Sequence, residues 1–579
     1  MSATLRGRGA APGAALAPAF LLLEQDLLPE ELPAEPAGPA EEEVGRLRAA
    51  LDRAGQELRA LAERVAATAG PEEAEIFEAH AEFAADPELR ALAEGAIAEG
   101  ASAERAVARA FGAFRELLAA SASEYLAARA ADLDDVRDRV VRILLGRSTG
   151  GDVPRVRSVV LAHELTPSQT ASIPPEVLAG IVTETGSPTS HAAILARALG
   201  IPAVVSCPGL LAAATQGIEV AVDGRTGEVI VGPGPAEREA ILRRMEEEEY
   251  RRAELAVLRD EPGRTADGVR VELAANIGSI QHVPAAVEAG GEGSGLVRTE
   301  FLFLDRTTAP TVEEQAGFYE EVLRAFPGQR VVFRTLDVGA DKPLPFVERE
   351  PEENPALGLR GIRLSLERGD LFRDQLRALL RARERAGEAA GRLAIMFPLV
   401  SVVRELRAAR GILEEVAREE GRDLAGIEVG VMIEVPSAAL AAHRLAAHAD
   451  FLSIGTNDLL QYLFAADRLV GAVADLADVL EPEVLRLIGG VVDAGHAQGA
   501  WVGVCGEAAG DPTVAAALVG LGVDELSMTR VAIPEVKDTL RRLTVERCRE
   551  AVRAAIDLAE DGGQARRILE ERLGTGPSA

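Results

Sequence analysis

The sequence predicts a multidomain α/β chain in which a compact α/β domain and a helical bundle precede a C-terminal (β/α)8 TIM barrel. Three observations carry this expectation. Residues 36–145 read as helices, residues 146–235 as short strands, and residues beyond 262 as eight alternating strand and helix segments. A chain of 579 residues, at roughly 150 residues per domain, has room for about three or four such units.

The helical stretch is rich in Ala, Leu, Glu and Arg, with apolar residues at helical spacing, as in Val44, Leu47, Leu51, Leu58 and Leu61. Asp86-Pro87 and the glycines at 70, 95 and 100 divide it into separate helices. A Gly-rich break, GRSTGGDVP at 146–154, changes the register to β-branched runs such as VRSVVLAHEL, IVTETG, IPAVVS and IEVAVDGRTGEVIV. Residues 236–262 then predict a solvated linker helix that carries the run EEEE.

From 263 onward, VELAANI, GSGLVRTE, VVFRTLD, LAIMFPLV, IEVGVMIE, FLSIGTND, WVGVCGE and DELSM are each followed by a helical segment. Eight such units match a β/α barrel, whose active sites collect at the C-terminal strand ends. Those ends carry Arg298, Arg334, Glu434, Asn457 with Asp458, and Cys505.

Composition narrows the function. Acids outnumber Lys and Arg by 93 to 62 and leave a formal charge of -31, which argues against a nucleic-acid partner. A basic partner protein, or simple solubility, fits this charge. The cations are almost all Arg; coding bias and bidentate anion contacts both explain that at any single position. The three cysteines, Cys207, Cys505 and Cys548, are far apart and lack metal spacing, so a reducing compartment without disulfides or zinc is expected. No run of about 18 apolar residues appears, so a cytoplasmic protein without membrane insertion is expected.

His191 follows TGSPTS and opens the amphipathic run AAILARAL. It sits at a helix N-terminus, where free amides and the helix dipole favour an anion. A lone histidine is more often a cap or a surface residue. The surrounding stretch, LTPSQTASIPPEVLAGIVTETGSPTSHAAILARALGIPAVVS, resembles the swivelling phosphohistidine domain of Enzyme I of the sugar phosphotransferase system, phosphoenolpyruvate synthase and pyruvate phosphate dikinase. That resemblance implies that His191 is phosphorylated, that Thr189 is its hydrogen-bond partner, and that Arg197 steadies the phosphate. Neutral imidazole is a nucleophile near pH 7 and leaves readily once phosphorylated.

The barrel motifs GSGLVRTEFLF, RTLDVGADKPLPF, NPALGLRGIR, IEVGVMIEVPSA, LSIGTNDLLQY and CGEAAGD likewise resemble the phosphoenolpyruvate-protein phosphotransferases, the Enzyme I family. The resemblance implies that Arg298, Arg334, Asn457, Asp458 and Arg468, with Arg360 beside them, bind the phosphate and carboxylate of phosphoenolpyruvate. It implies that Glu434 and Asp458 ligate Mg²⁺ and that Cys505 protonates the enolate to give pyruvate. Forked guanidinium donors and hard carboxylate oxygens suit those tasks, although a lone buried Cys is usually a small hydrophobe and a single Arg or Glu usually a surface ion pair.

By the same resemblance, residues 1–35 and 146–235 form the phosphohistidine domain and 36–145 the helical insertion that receives the histidine-containing phosphocarrier protein HPr. Residues 263–579 form a phosphoenolpyruvate-binding barrel that pairs into a homodimer. The domain carrying His191 is expected to swivel about the breaks near 146–151. His80 reads as structural. From the order of segments, neither the ATP-binding domain of phosphoenolpyruvate synthase and pyruvate phosphate dikinase nor the extra N-terminal sensory domain of the nitrogen-related Enzyme I is expected. The chain departs from the family pattern at Ser187-Pro188, at Ala340 and in the loop after Arg468, which bear on carrier affinity and dimer contacts. A variant feeding another phosphocarrier, such as one serving a dihydroxyacetone kinase, or a regulatory phosphorelay, is the competing expectation.

Overall fold

The computed structural model describes residues 2–22, 32–33, 35–68, 71–119, 124–147, 153–187, 190–304, 306, 308–338, 344, 346–347, 352–467, 473 and 476–576. The chain divides into two compact units, Met1–Arg252 and Ala253–Ala579.

In the first unit, strands β1 (Ala3–Arg6), β2 (Arg8–Ala11), β3 (Ala14–Leu22), β4 (Ser158–Ala162), β5 (Leu178–Thr183), β6 (Ala203–Val205), β7 (Glu219–Asp223) and β8 (Glu228–Val231) form one sheet. Its order is β1-β8-β7-β3-β4-β5-β6-β2, with β3 to β6 parallel at the centre. Every residue of β4 and β5 is buried, as expected of parallel strands covered on both faces. Val160 and Ile181 join one core, Val159 and Val182 the other.

Helices α1 (Ala40–Thr68), α2 (Pro71–Ala85), α3 (Pro87–Ala98), α4 (Ala103–Ala119) and α5 (Glu124–Leu144) lie between β3 and β4 in the chain. Leu47, Leu51, Leu58 and Leu61 of α1 share their core with Phe77, Val107 and Val136. At the α2–α3 break, the Asp86 carboxylate accepts from the amides of Glu88 and Leu89, and Pro87 opens α3. His80, on α2, is buried 3.6 Å from Asp135 of α5.

Three further helices, α6 (Pro167–Ser172), α7 (His191–Ala198) and α8 (Leu210–Ala213), connect the strands. The acidic segment expected as a solvated linker forms α9 (Pro235–Val257), and it is tied to the sheet. Arg244 Nη1 pairs with Asp223 Oδ2 at 2.6 Å, and Glu248 Oε2 accepts from the Ala14 amide at 2.9 Å.

In the second unit, β9 (Glu272–Ile277), β10 (Gly293–Arg298), β11 (Arg330–Arg334), β12 (Arg392–Phe397), β13 (Glu428–Ile433), β14 (Phe451–Ile454), β15 (Trp501–Val504) and β16 (Glu525–Met528) close into a parallel barrel. All eight expected runs are strands. Alternation divides their side chains: Val331, Phe333, Ile395 and Phe397 pack in the large core shared with the surrounding helices, whereas Val332, Ala394, Met396 and Met432 cluster separately with Phe451 and Cys505.

The N-terminal end of the barrel is closed by an ionic cluster that sequence reading did not single out. Arg330 donates to Glu428 and Glu272, each at 2.8 Å, and lies 3.4 Å from Glu525. Its guanidinium stacks 3.9 Å from the Trp501 ring, which stacks on Phe451. Glu525 Oε1 is buried without a hydrogen-bond partner, and burial, together with the Glu272 and Glu428 carboxylates and against Arg330, pushes Glu525 up to about 8.

An unfolded glutamate titrates near 4.3. Between that value and about 8 the folded chain holds a proton that the unfolded chain has lost, so stability falls as pH rises through this window. Glu525→Gln keeps the neutral shape. Its thermal unfolding temperature relative to the parent is expected to climb from pH 5 to pH 8 and then level off, with a gain of at most about 1.4 kcal/mol per pH unit; a pH-independent difference would contradict this account.

Candidate active site

Strands β10 and β11 pair in parallel with Arg298 directly beside Arg334. Like charges in register repel, so such a pair persists only where anions compensate it. Arg334 is buried; its Nη2 donates to Glu300 Oε1 at 2.6 Å and its Nη1 lies 3.1 Å from Asp337 Oδ2. Among the described residues, no carboxylate lies within ion-pair distance of Arg298. That half-buried cation is compensated by nothing described around it.

Arg360 stands between Leu359 and Gly361, in the turn before the helix Ile362–Glu367.

 The preceding glycine, Gly358, stands two positions earlier, and Gly361 adopts φ +56° with an added Cβ only 2.8 Å from Leu399 Cβ, so the turn is built for glycine. It delivers the Arg360 fork to two carboxylates. Nε and Nη2 donate to Asp337 Oδ1 and Oδ2 at 3.3 and 2.9 Å, and Nη1 and Nη2 donate to Asp458 Oδ1 and Oδ2 at 3.4 Å each. Burial acts to lower the pKa of both arginines, but Glu300 and Asp337 around Arg334, and Asp337 and Asp458 around Arg360, outweigh it and raise both.

Glu434 directly follows β13 and is buried. Its Oε1 accepts from the Leu399 amide at 2.6 Å, and Leu399 itself has a left-handed φ of +56°, a strained conformation for a residue with a side chain. Burial, then Asp458 and Asp337, against Arg334 and Arg360, push Glu434 up to about 8. Asn457 and Asp458 occupy the first turn of the helix Thr456–Phe464, directly after β14, with Asp458 buried.

Cys505 directly follows β15, 3 % exposed, with its amide donating to Ile454 O at 3.0 Å and its Sγ 3.7 Å from the same oxygen. Burial is the main cause that pushes its thiol up to about 11, so the sulfur is protonated at neutral pH. The next residue must be glycine: a Cβ on Gly506 would stand 1.7 Å from Thr456 Oγ1. That close approach sets the Cys505 loop against the helix that bears Asn457 and Asp458.

Two buried carboxylates, Glu434 and Asp458, the second raising the cost of charge on the first, suit a hard divalent cation. Mg²⁺ takes one or two protein carboxylates and completes its shell with substrate oxygens and water. Among the described residues, no group of three or more His, Cys, Asp or Glu side chains is arranged to hold a metal. Arg468 lies outside the described residues. Sequence reading passed over Glu300, Asp337 and Tyr462, whose hydroxyl accepts from Arg360 Nη1 at 3.1 Å. The first two lie inside RTEFLF and RTLDVGADK and were legible as strand-end acids; attention to an anionic substrate favoured the cations.

In the first unit, His191 opens α7 after the turn that leaves β5. Ser190 caps the helix, its Oγ accepting from the Ala193 amide at 3.4 Å. The turn is held from both neighbouring strand ends: the Thr185 amide donates to His163 O at 3.0 Å, and Ser206 Oγ donates to Gly186 O at 2.6 Å. Ala192, Ala193 and Ala196 pack on the sheet, and Leu195 joins the core of the helical bundle. The helix is thereby fixed with its positive end at His191. Arg197 is exposed in the last turn, about 9 Å along the axis and about 120° around it from His191 by helix geometry. Thr189 lies outside the described residues.

Three family models match the chain. Residues 252–545 match the model of the PEP-utilising enzyme, PEP-binding domain; residues 6–129 match PEP-utilising enzyme, N-terminal; and residues 155–227 match PEP-utilising enzyme, mobile domain. A phosphoenolpyruvate-protein phosphotransferase of Streptomyces coelicolor is 46% identical over 574 residues, which cover 98% of this chain and 99% of that one. The protein of that name from Staphylococcus carnosus is 41% identical over 568 residues, covering 96% and 97%. A multiphosphoryl transfer protein of Rhodobacter capsulatus is 44% identical over 556 residues, which cover 96% of this chain and 66% of that longer one. The chain belongs to the phosphoenolpyruvate-protein phosphotransferase family of phosphoenolpyruvate-utilising enzymes.

Proposed function

We propose that the barrel mouth binds phosphoenolpyruvate, that His191 takes its phosphoryl group, and that His191 passes it to a histidine of the small phosphocarrier protein HPr, the first step of the sugar phosphotransferase system. The observation that carries this reading is the register pairing of Arg298 with Arg334, two cations at adjacent strand ends of the barrel mouth. Arg298 and Arg334 hold the anionic groups of the substrate, with Asn457, Arg360 and Arg468 completing the cradle. Glu434 and Asp458 would hold Mg²⁺, which when bound draws charge from the phosphate oxygens.

The His191 imidazole attacks phosphorus through a ring nitrogen, the bond to the enol oxygen breaks, and the electron pair leaves on pyruvate enolate. Cys505 then gives the thiol proton to the methylene carbon, and solvent restores it. In the second step the carrier histidine attacks the same phosphorus and His191 leaves. The helical insertion is the carrier-docking element of this reading. Its acidic chain suits a carrier whose histidine lies among basic groups. A cytoplasmic location fits the absence, among the described residues, of any helix long and apolar enough to cross a membrane, and pairing of barrels into a homodimer is part of the same proposal.

A second reading rests on Ser187 and Pro188, which stand directly before Thr189-Ser190-His191 where the family pattern has GGxTSH. A changed turn there favours a different phosphocarrier, or a regulatory relay, as recipient.

Incubation with labelled phosphoenolpyruvate and Mg²⁺ is expected to label the parent chain and leave His191→Ala unlabelled; equal labelling of both would refute the first step. Adding candidate carriers then identifies the recipient, with HPr expected. Cys505→Ala is expected to slow labelling by at least about 100-fold while phosphate exchange between His191 and the carrier stays intact, and equal loss of both reactions would remove the proton-donor role. Arg298→Ala and Arg334→Ala should differ in kind. The first is expected to raise KM for phosphoenolpyruvate with little change in thermal stability, whereas the second also leaves the buried Glu300 without its cation and is expected to destabilise the barrel by about 3–5 kcal/mol.

A further inference from the structure

The Arg360 guanidinium has five N–H donors, and each meets a protein acceptor. Asp337 takes one from Nε and one from Nη2, Asp458 takes one from Nη1 and one from Nη2, and the Tyr462 hydroxyl takes the remaining Nη1 donor at 3.1 Å. A fork with every donor occupied has none to offer an anion. The distances rank its partners: the contacts to Asp458 are both 3.4 Å, at the weak end of hydrogen-bond geometry, whereas Asp337 Oδ2 and Tyr462 stand at 2.9 and 3.1 Å. Asp458 is therefore the partner that exchanges most readily.

The Tyr462 hydroxyl is committed on its other side. It donates to the Ala356 carbonyl at 2.6 Å, in the turn Pro355–Leu357, so its single proton is used and its lone pair faces Arg360. The phenol links that turn, which lies four residues before Arg360, to the helix that bears Asp458.

We propose that Tyr462 is a positioning residue for substrate. It keeps the Arg360 fork aimed after Asp458 turns its oxygens to a divalent cation, so that the two donors released face the substrate anion while Asp337 and Tyr462 retain the other three. This inference rests on the reading of the barrel mouth as the phosphoenolpyruvate site. It couples cation and substrate binding through one guanidinium: without the cation, Asp458 holds the two donors and Arg360 adds nothing to substrate affinity.

The test is equilibrium binding of phosphoenolpyruvate to the full chain carrying His191→Ala, which has no acceptor histidine, followed by calorimetry with and without Mg²⁺. This parent is expected to bind phosphoenolpyruvate more tightly with Mg²⁺ than without it. Adding Tyr462→Phe is expected to weaken binding about tenfold with Mg²⁺, the scale of one hydrogen bond to a charged group, and to change Mg²⁺-free binding by less than about twofold. A structural defect would weaken both equally, and that result, or no change in either, would overturn the role of Tyr462. Equal affinity of the parent in the two conditions would overturn the release of donors from Asp458. A parent that binds no phosphoenolpyruvate in either condition would overturn the site reading itself.

Discussion

At the barrel mouth one carboxylate oxygen, Asp337 Oδ2, meets both Arg334 at 3.1 Å and Arg360 at 2.9 Å, and the remaining charges are arranged around that junction. A buried guanidinium without a counter-ion is strongly destabilising, whereas one with matched acceptors is tolerated. Asp337 serves two of them at once. Glu300 completes Arg334 and Asp458 completes Arg360, and Glu434 is left facing two carboxylates with its own partner a backbone amide. Three arginines, Arg298, Arg334 and Arg360, stand among four acids, Glu300, Asp337, Glu434 and Asp458, so the described part of the mouth has one acid more than it has cations. An anion alone would find little gain there. An anion that arrives with a divalent cation meets the excess acid through the cation and the unpaired arginine through itself.

The strand period explains why such charge sits at both ends of one interior. Arg330, Val332 and Arg334 alternate along β11 on one face, as do Glu428, Gly430, Met432 and Glu434 on and just beyond β13, and Trp501, Gly503 and Cys505 on and just beyond β15. The same parity that closes the floor with Arg330 and its carboxylates therefore supplies the mouth. Between them lies an apolar layer of Leu296, Val332, Met432 and Phe451. Gly430 belongs to that layer by omission: a Cβ there would stand 2.5 Å from the Phe451 ring. The floor cluster seals and orients the barrel, and the dry layer above it keeps water from reaching the mouth from below.

The barrel was legible because its strands are short β-branched runs punctuated by helices, a pattern that needs no partner to be recognised. All eight runs fall on strands, and Arg298, Arg334, Glu434, Asp458 and Cys505 fall at their C-terminal ends. What the sequence hid was relational. Asp337 matters because a parallel register brings Arg334 beside Arg298, and because a turn some twenty residues on returns Arg360 to it; neither fact is local. Tyr462 reads as an ordinary aromatic on an amphipathic helix until the turn at Pro355–Leu357 is seen against its hydroxyl. The floor was hidden for the same reason, since Glu272, Arg330, Glu428 and Glu525 are each unremarkable residues at the start of a strand. The attachment of α9 was missed because a run of acids reads as solvated, while Glu248 is in fact an acceptor for the β3 backbone.

The state of Cys505 follows from the same column. It stands at the top of the interior line begun by Trp501 and Gly503, above the apolar layer, where removal from water outweighs the Ser453 hydrogen bond and the Arg334 charge and holds the thiol at about 11. A catalytic acid is usually matched to the pH at which it works, and in the role proposed for it Cys505 is not. The mismatch is chemically sensible if its target is carbon. The enolate left by phosphoryl transfer is a strong carbon base, so it can take a proton from a weak acid, and a weak acid has the merit of keeping that proton until the enolate exists. A lower thiol pKa would place a thiolate beside Glu434, adding a negative charge to the mouth and opposing the anionic substrate proposed for Arg298 and Arg334. In the proposed mechanism, burial of Cys505 thus serves binding before it serves proton transfer.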